Sequence, residues 1–230
     1  MKKSPWKAID DMTKRALVSD PDLNNFLTPF LPNKMDRRAF IRQCLRKLKT
    51  RRMLLRSQWY TELADRMHKV REGRDGLRLI FLMGMAEGVT KQKLGTNHIG
   101  SLDAILRFFR HISPEDKTAV RRGIRRALVS ARHHKLLFSS IVRILYEVRN
   151  EAVHGEDFYS FSLLNPREKK KHIEYMHFGL ITSGSLGKAG FTKRGNRRRK
   201  RRVALDISMT YPELRNMMVR TAIANIRDAM

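Results

Sequence analysis

The segment 77–89 constrains the fold of this chain more than any other, because it is apolar around nearly its whole circumference. It reads LRLIFLMGMAEGV and carries only two charged residues, Arg78 and Glu87, in a chain of 230 residues with 49 lysines and arginines. A helix that is hydrophobic on all sides is buried among other elements. We therefore predict that this segment forms the central helix of a mainly helical domain.

The spacing of apolar residues predicts helices before this segment. Ser4 and Pro5 are typical of a helix start, and we expect a short helix from there to about Val18. Residues 20–33 contain three prolines and predict an irregular connection. Residues 36–72 predict one long amphipathic helix. Its apolar stripe consists of residues four or seven positions apart: Phe40, Cys44, Leu48, Leu55, Trp59 and Leu63.

Helices are also predicted after the central segment. Ser101 is the predicted N-cap of one helix, and Ser113 begins a basic helix that runs to about Arg132. A further helix is expected over 136–154, with Gly155 at its C-terminal cap. The apolar stripe of that helix consists of Ile141, Leu145, Val148 and Ala152. A row of arginines predicts one basic helical face: Arg121, Arg122, Arg125 and Arg126.

The composition changes after about residue 165. Residues 178–184 and 203–209 alternate like short strands. Between them, residues 193–202 carry eight positive charges and no negative charge, and such a block of like charges predicts a flexible segment. Thr210 and Glu213 are a candidate capping box for a final helix.

These patterns predict a mainly α fold in three parts. Residues 1–35 are an N-terminal helix and linker, residues 36–165 are a helical domain, and residues 166–230 are a basic C-terminal extension with a candidate β-hairpin and a final helix. The single cysteine excludes an internal disulfide and a cysteine-based zinc finger. The start MKKSPWKAID lacks the apolar run of a signal peptide, and no apolar stretch is long enough to span a bilayer, so we expect a cytoplasmic protein without membrane contact.

The charge of the chain indicates an anionic partner. Forty-nine basic and 22 acidic residues give a formal net charge of +27, which is typical of proteins that bind nucleic acid. The candidate RNA-binding residues are Lys193, Arg194, Arg197, Arg198, Arg199, Lys200, Arg201 and Arg202 in the basic block, with Arg121, Arg122, Arg125 and Arg126 in the arginine row.

The segment 149–155, RNEAVHG, carries the residues best suited to chemistry. Asn150 and His154 are four residues apart and share one face of a helix, and Arg149 stands beside Asn150. In phosphodiester cleavage an imidazole moves a proton, a guanidinium offsets charge on the phosphoryl group, and an amide orients the imidazole. Arg149, Asn150 and His154 are therefore the candidate catalytic residues. The alternative is a cluster that only caps carbonyl groups at the helix end.

These residues resemble the Arg-x4–6-His signature of the HEPN superfamily, often written R-N-x-x-x-H. The segment 77–89 is similar to the central helix of several members, in which a glutamate interrupts an apolar run, so Glu87 is a candidate supporting residue. The resemblance covers about residues 37–165. It implies an all-α bundle that forms a homodimer and is often a metal-independent endoribonuclease without a cofactor.

Two further points follow from this resemblance. Catalytic members include toxins and anti-phage effectors, so a role in a toxin–antitoxin pair or in antiviral defence is implied. The alternative function is a non-catalytic basic nucleic-acid-binding protein in which HEPN-like helices only form the dimer.

Overall fold

The computed structural model describes residues 5–70, 75–126, 136–154, 161–165, 172–179 and 200–230, and of residues 5–11, 68, 154, 172–179 and 200–204 it describes the backbone alone. The described fold is mainly α, as predicted. Its helices are α1 (Pro5–Ser19), α2 (Pro21–Leu27), α3 (Lys34–Arg46), α4 (Leu48–Val70), α5 (Asp75–Leu94), α6 (Ser101–Phe108), α7 (Pro114–Gly123), α8 (Phe138–His154) and α9 (Tyr211–Asp228), with a 3₁₀ turn over Phe109–His111. Its strands are β1 (Ile124–Arg126), β2 (His172–Gly179) and β3 (Lys200–Ile207).

The predicted helix near the N-terminus is confirmed as α1, but the predicted irregular connection after it is wrong, because it contains α2. The Asp20 side chain caps α2 by accepting a hydrogen bond from the Leu23 N–H at 2.9 Å. Pro21 occupies the first turn, where a missing N–H costs no hydrogen bond. Two of the prolines that suggested a loop follow the helix, and the other one begins it.

The predicted long helix over 36–72 consists of α3 and α4, which meet at the extended residue Lys47. The predicted stripe is confirmed for Phe40 and Cys44, which are buried, and wrong for Leu48 and Trp59, which are 51% and 59% exposed. The buried face of α4 instead combines the apolar residues Met53, Leu54 and Ala64 with three small hydroxyl residues: Thr50, Ser57 and Thr61. Their hydroxyl groups donate to backbone carbonyl groups, which satisfies them inside the core.

The central helix that segment 77–89 predicts is confirmed as α5, which packs against α4, α6, α8 and α9. Its approach to α4 is close, because a Cβ atom at Gly84 would lie 2.8 Å from the ring of Tyr60. The buried apolar residues of α5 are Leu79, Leu82, Met83, Met85, Ala86 and Val89. Among the described residues, no helix is long and apolar enough to cross a membrane.

Asp75, at the start of α5, fastens the segment 161–165 to the bundle. Its carboxylate accepts a hydrogen bond from the Leu163 N–H at 2.7 Å, and its own N–H donates to the Phe161 carbonyl at 3.2 Å. Arg78 donates to the same carboxylate at 2.8 Å. A buried acid with three such bonds sets where the chain returns to the core after α8.

The predicted caps of α6 and α7 have different outcomes. Ser113 caps α7 by accepting a hydrogen bond from the Asp116 N–H at 3.1 Å, which confirms the prediction. The prediction for Ser101 is wrong, because Gly100 is the N-cap of α6 and Ser101 stands inside the helix. The Ser101 hydroxyl is used elsewhere, as a donor to Glu87.

The predicted basic helix from Ser113 to Arg132 is also wrong, because α7 ends at Gly123 and the chain continues as β1. Tertiary contacts end the helix here: the Gly123 carbonyl accepts a hydrogen bond from the Ser208 N–H at 2.8 Å, and a Cβ atom at Gly123 would lie 2.7 Å from the Cβ of Met209. Residues 127–132 lie outside the described residues.

The candidate β-hairpin is present in part. β2 and β3 pair antiparallel from His172 opposite Ile207 to Gly179 opposite Lys200, and β1 joins the other edge of β3 to give the order β1-β3-β2. β2 lies earlier than the predicted strand over 178–184, of which residues 180–184 lie outside the described residues. β3 begins within the block 193–202 that was predicted to be flexible, and residues 193–199 lie outside the described residues.

The final helix and its capping box are confirmed as α9 with Thr210 and Glu213. Polar contacts fasten α9 to the bundle: Arg215 and Tyr211 bind Asp65 of α4, and Arg220 binds Asp116 of α7 at 2.5 and 2.9 Å. The hydrophobic core runs from α2 to α9 and so includes residues of all three predicted segments. The boundaries between those segments stay a prediction.

Candidate functional site

The candidate catalytic residues lie in the last turns of α8. The apolar stripe predicted for this helix is buried, as expected, and α8 packs against α5 and α6. This packing fixes the rotation of the helix about its axis and places Arg149 beside α5. The predicted supporting residue Glu87 lies on α5 at the same level, so the structure brings two of the predicted site residues together.

Glu87 is the acidic centre of the cluster. Its Oε1 accepts hydrogen bonds from Lys91 Nζ at 2.7 Å and from Ser101 Oγ at 2.8 Å, and its Oε2 lies 4.0 Å from Arg149 Nη2. Burial raises the pKa of Glu87, but the hydrogen bonds from Lys91 and Ser101 and the charges of Lys91 and Arg149 outweigh burial and hold the pKa below its usual value. Glu87 is therefore a carboxylate at neutral pH, which attracts cations and has no proton to donate.

The Arg149 guanidinium is held on two sides. Its Nη1 donates to Asn150 Oδ1 at 2.9 Å, and the group lies 5.8 Å from the centre of the Tyr146 ring. The side chain is 23% exposed, so one part reaches the surface, while its buried Nε has no hydrogen-bond partner among the described residues. A buried donor without an acceptor is unusual in a folded protein. It marks Arg149 as a cation whose donors the described residues satisfy only in part.

Asn150 connects Arg149 to a second carboxyl group that the sequence analysis did not identify. Its amide hydrogen-bonds Glu147, three residues earlier on the same helix. Burial raises the pKa of Glu147, the Asn150 hydrogen bond lowers it, the charge of Glu151 raises it, and the net direction is upward. The pKa values of Glu87 and Glu147 are thus shifted in opposite directions.

His154 is the last residue of α8, and its side chain lies outside the described residues. Helical geometry places this position about 40° around the axis from Asn150 and about 140° from Arg149. Its backbone position is therefore on the outer face of α8, with Asn150 between the other two candidates. The side of α8 that faces Glu87 carries Arg149 and not His154.

The structure separates the predicted RNA-binding residues. Arg121 and Arg122 lie in α7, whereas Arg125 and Arg126 lie in β1, so the predicted single helical face is wrong. Arg125 turns back and its Nε donates to the Arg122 carbonyl at 2.8 Å. The backbone of β3 includes Lys200, Arg201 and Arg202. The remaining predicted residues lie outside the described ones: Lys193, Arg194, Arg197, Arg198 and Arg199.

A second titratable cluster joins the end of α5 to the end of α9 and was not predicted. Lys93 Nζ lies 2.7 Å from His111 Nε2 and 2.7 Å from Asp228 Oδ2. Burial and the charge of Lys93 lower the pKa of His111, and Asp228 offsets this only in part, so the imidazole is neutral and accepts a hydrogen bond from Lys93. The three residues are far apart in the chain, and no local spacing could indicate their contact.

A basic groove of about 430 Å³ lies between α1 and α3 and was also not predicted. Its lining residues are Lys14, Arg15, Val18, Ser19, Arg42, Leu45 and Arg46. Four of the seven are cations and none is acidic. The signal in the sequence was the recurrence of a basic residue at every fourth position of α3.

The described residues support neither a metal site nor a cysteine nucleophile. Within the described ranges, no group of three or more His, Cys, Asp or Glu side chains is arranged to hold a metal ion. Cys44 is fully buried, and burial raises the pKa of its thiol to about 12, so it is not a nucleophile at neutral pH.

The chain matches no protein-family model, no curated protein and no solved structure. Function must therefore be argued from its own residues.

Proposed function

We propose that this protein is a metal-independent endoribonuclease of the HEPN type, with Arg149, Asn150 and His154 as its catalytic residues. The observation that carries the proposal is the contact of Arg149 with both Glu87 and Asn150, at the end of a helix whose last residue is His154. A cation held this way at the surface of a chain with a net charge of +27 is well suited to meet a phosphodiester.

The reaction needs only the side chains of Arg149, Asn150 and His154 and the RNA itself. The imidazole of one His154 takes the proton of a ribose 2′-OH, the 2′ oxygen bonds to the adjacent phosphorus, and the bond from phosphorus to the 5′ oxygen breaks. A protonated imidazole gives its proton to the leaving 5′ oxygen. The products are a 2′,3′-cyclic phosphate and a 5′-OH, and Arg149 offsets the charge on the phosphoryl oxygens.

A homodimer supplies both imidazoles. One chain carries a single candidate base, and helical geometry places its position on the outer face of α8, about 140° around the axis from Arg149. A C₂ axis beside the ends of two α8 helices brings two copies of His154 to one phosphodiester, one as base and one as acid. Such a role fits an RNA-cleaving toxin or an anti-phage effector.

The first test removes the catalytic groups. His154→Ala and Arg149→Ala should each lower RNA cleavage by at least a hundredfold, which is the usual contribution of a general base or an oxyanion partner. Asn150→Ala should lower it less, because an orienting group acts through the imidazole. Circular dichroism and thermal melting should stay near those of the parent, since polar residues at a helix end contribute little to the core.

Chelation provides the second arm of this test. Cleavage should continue in EDTA, and the product should carry a cyclic phosphate that blocks end-labelling at its 3′ end. Loss of cleavage in EDTA that Mg²⁺ restores would contradict the proposed mechanism, as would cleavage at the parental rate by either alanine variant.

The second candidate function is non-catalytic nucleic-acid binding. The specific observation in its favour is the basic groove, which lies between α1 and α3 and contains none of the candidate catalytic residues. Under this alternative the parent binds RNA with a steep salt dependence and leaves it intact.

A further inference from the structure

The basic groove brings four cations to one concave site, and no acidic residue lines it. Some cations of the described bundle are paired with carboxylates, as Arg220 is with Asp116. Arg15, Arg42 and Arg46 have no hydrogen-bond or ion-pair partner among the described residues. The groove therefore places three arginines without such partners close to one another.

The sequence of α3 strengthens this point. Basic residues stand at every fourth position from the start of the helix to its end: Lys34, Arg38, Arg42 and Arg46. Like charges four residues apart repel one another and destabilise a helix. Asp36 is the only acidic residue of α3 and lies in its first turn, away from Arg42 and Arg46. An anion bound beside Arg42 and Arg46 would reduce this repulsion.

On the α1 side of the groove, acidic residues stand near the basic ones in the sequence. Lys14 and Arg15 stand one turn after Asp10 and Asp11, whose side chains lie outside the described residues. Arg42 and Arg46 are therefore the residues on which a test should act.

The shape of the groove favours a strand over a flat surface. Arg42 and Arg46 are separated by one helical turn, about 6 Å along the axis, which is close to the separation of successive phosphates in an extended strand. Guanidinium groups bind phosphate oxygens in pairs, and the apolar floor of Val18 and Leu45 suits the sugar face of such a strand. A bilayer surface could not enter a concave site between two helices.

We propose that the basic groove binds the phosphate backbone of single-stranded RNA, as a docking site on helices other than the one that carries the catalytic residues. That the ligand is RNA rests on the proposed function. That the groove binds phosphate groups is argued from its own cations alone. A strand held there would stay tethered to the enzyme between cleavage events.

The test measures binding without cleavage. A short fluorescent single-stranded RNA is titrated by anisotropy at several KCl concentrations with the full chain carrying His154→Ala, with and without Arg42→Gln and Arg46→Gln. The matched control carries Arg66→Gln and Arg107→Gln, which remove the same charge from exposed arginines outside the groove. Circular dichroism confirms that each variant is folded.

Loss of two phosphate contacts should make the slope of log K against log salt shallower by about 1.4 and lower the affinity about tenfold at physiological salt. The control pair should change both much less. Equal effects of the groove pair and the control pair would overturn the proposal. So would a groove pair that loses binding to phosphatidylglycerol vesicles while keeping its RNA affinity, because the groove would then serve a membrane surface.

The outcome is independent of catalysis. If the parent cleaves no RNA but the groove pair loses affinity and slope as expected, the groove is supported and the proposed nuclease fails. If the parent cleaves RNA and the groove pair binds like the control pair, the nuclease stands and the groove proposal fails.

Discussion

At the scale of single residues, the candidate site is organised by charge compensation around Glu87. This one carboxylate accepts hydrogen bonds from Lys91 and Ser101 and faces Arg149. The two cations Lys91 and Arg149 thus share one half-buried anion. Its charge helps to fix where the Arg149 guanidinium lies.

Glu87→Gln tests this positioning role. Glutamine keeps an oxygen that can accept from Ser101 and Lys91 but removes the charge that attracts Arg149. We expect kcat for RNA cleavage to fall about tenfold because the guanidinium is less well placed, with little change in KM. Asp228→Asn is the control, since it removes a carboxylate that pairs with Lys93 and not with Arg149.

Glu87→Gln should also change how the free energy of unfolding depends on pH. Because the pKa of Glu87 is lowered in the folded chain, its contribution to the free energy of unfolding is present above its unfolded pKa and is lost as the pH falls through the folded value. The parent should therefore lose its advantage over Glu87→Gln on acidification. A difference in unfolding free energy that stays constant from neutral to acidic pH would contradict the ionised state of Glu87.

At the scale of elements, helix ends in this chain are decided by neighbours as much as by local signals. α7 has a sound N-cap in Ser113, and arginines that favour a helix continue beyond Gly123. It nevertheless ends there, because the residues that follow β3 occupy the space beside Gly123. The three residues of β1 then gain hydrogen bonds from β3 that a longer helix would forgo.

Gly123→Ala tests this contact. The added Cβ would meet the Cβ and backbone atoms of Met209, which cannot move without shifting the strand exit, so we expect a loss of about 1–3 kcal/mol in urea unfolding. Gly84→Ala is the matched substitution. Its Cβ meets the Tyr60 ring, which can turn aside, and alanine gains helix propensity in α5, so its loss should be clearly smaller. Equal losses would show that the Met209 contact does not set the end of α7.

At the scale of the whole molecule, the basic groove and the candidate catalytic residues lie on different helices. The basic groove belongs to α1 and α3, and the contacts of Glu87 join α5, α6 and α8. Helix α9 joins the bundle through the core and through the ion pairs of Arg215, Arg220 and Asp228. The proposed homodimer would place a second copy of the chain against the outer face of α8, where His154 ends the helix.

Subunit mixing tests the shared site. When parent and His154→Ala chains are mixed in equal amounts and exchange freely, about a quarter of the dimers contain two parent chains. If one phosphodiester needs both imidazoles, cleavage should fall to about half of what the parent chains alone would give. Activity equal to that of the same amount of parent, or a monomeric mass with full activity, would exclude the shared site.

Local patterns in the sequence were enough to predict much of this fold. The all-round apolar segment predicted α5, the Ser-Pro starts predicted α1 and α7, the Thr210–Glu213 pair predicted the cap of α9, and the apolar stripe predicted the rotation of α8. Each of these signals acts within one or two helical turns, so the chain near it determines the outcome. The identity of Arg149, Asn150 and His154 as candidates came from the same local range.

Tertiary structure decided what such signals cannot encode. It ended α7 at Gly123, made Ser101 a partner of Glu87 instead of a cap, and buried the hydroxyl face of α4 while leaving Trp59 exposed. It also assembled the basic groove and the Lys93–His111–Asp228 cluster from helices distant in sequence. Contacts between distant segments depend on how whole helices pack, and helix packing is set by the summed burial of the core rather than by the spacing of any few residues.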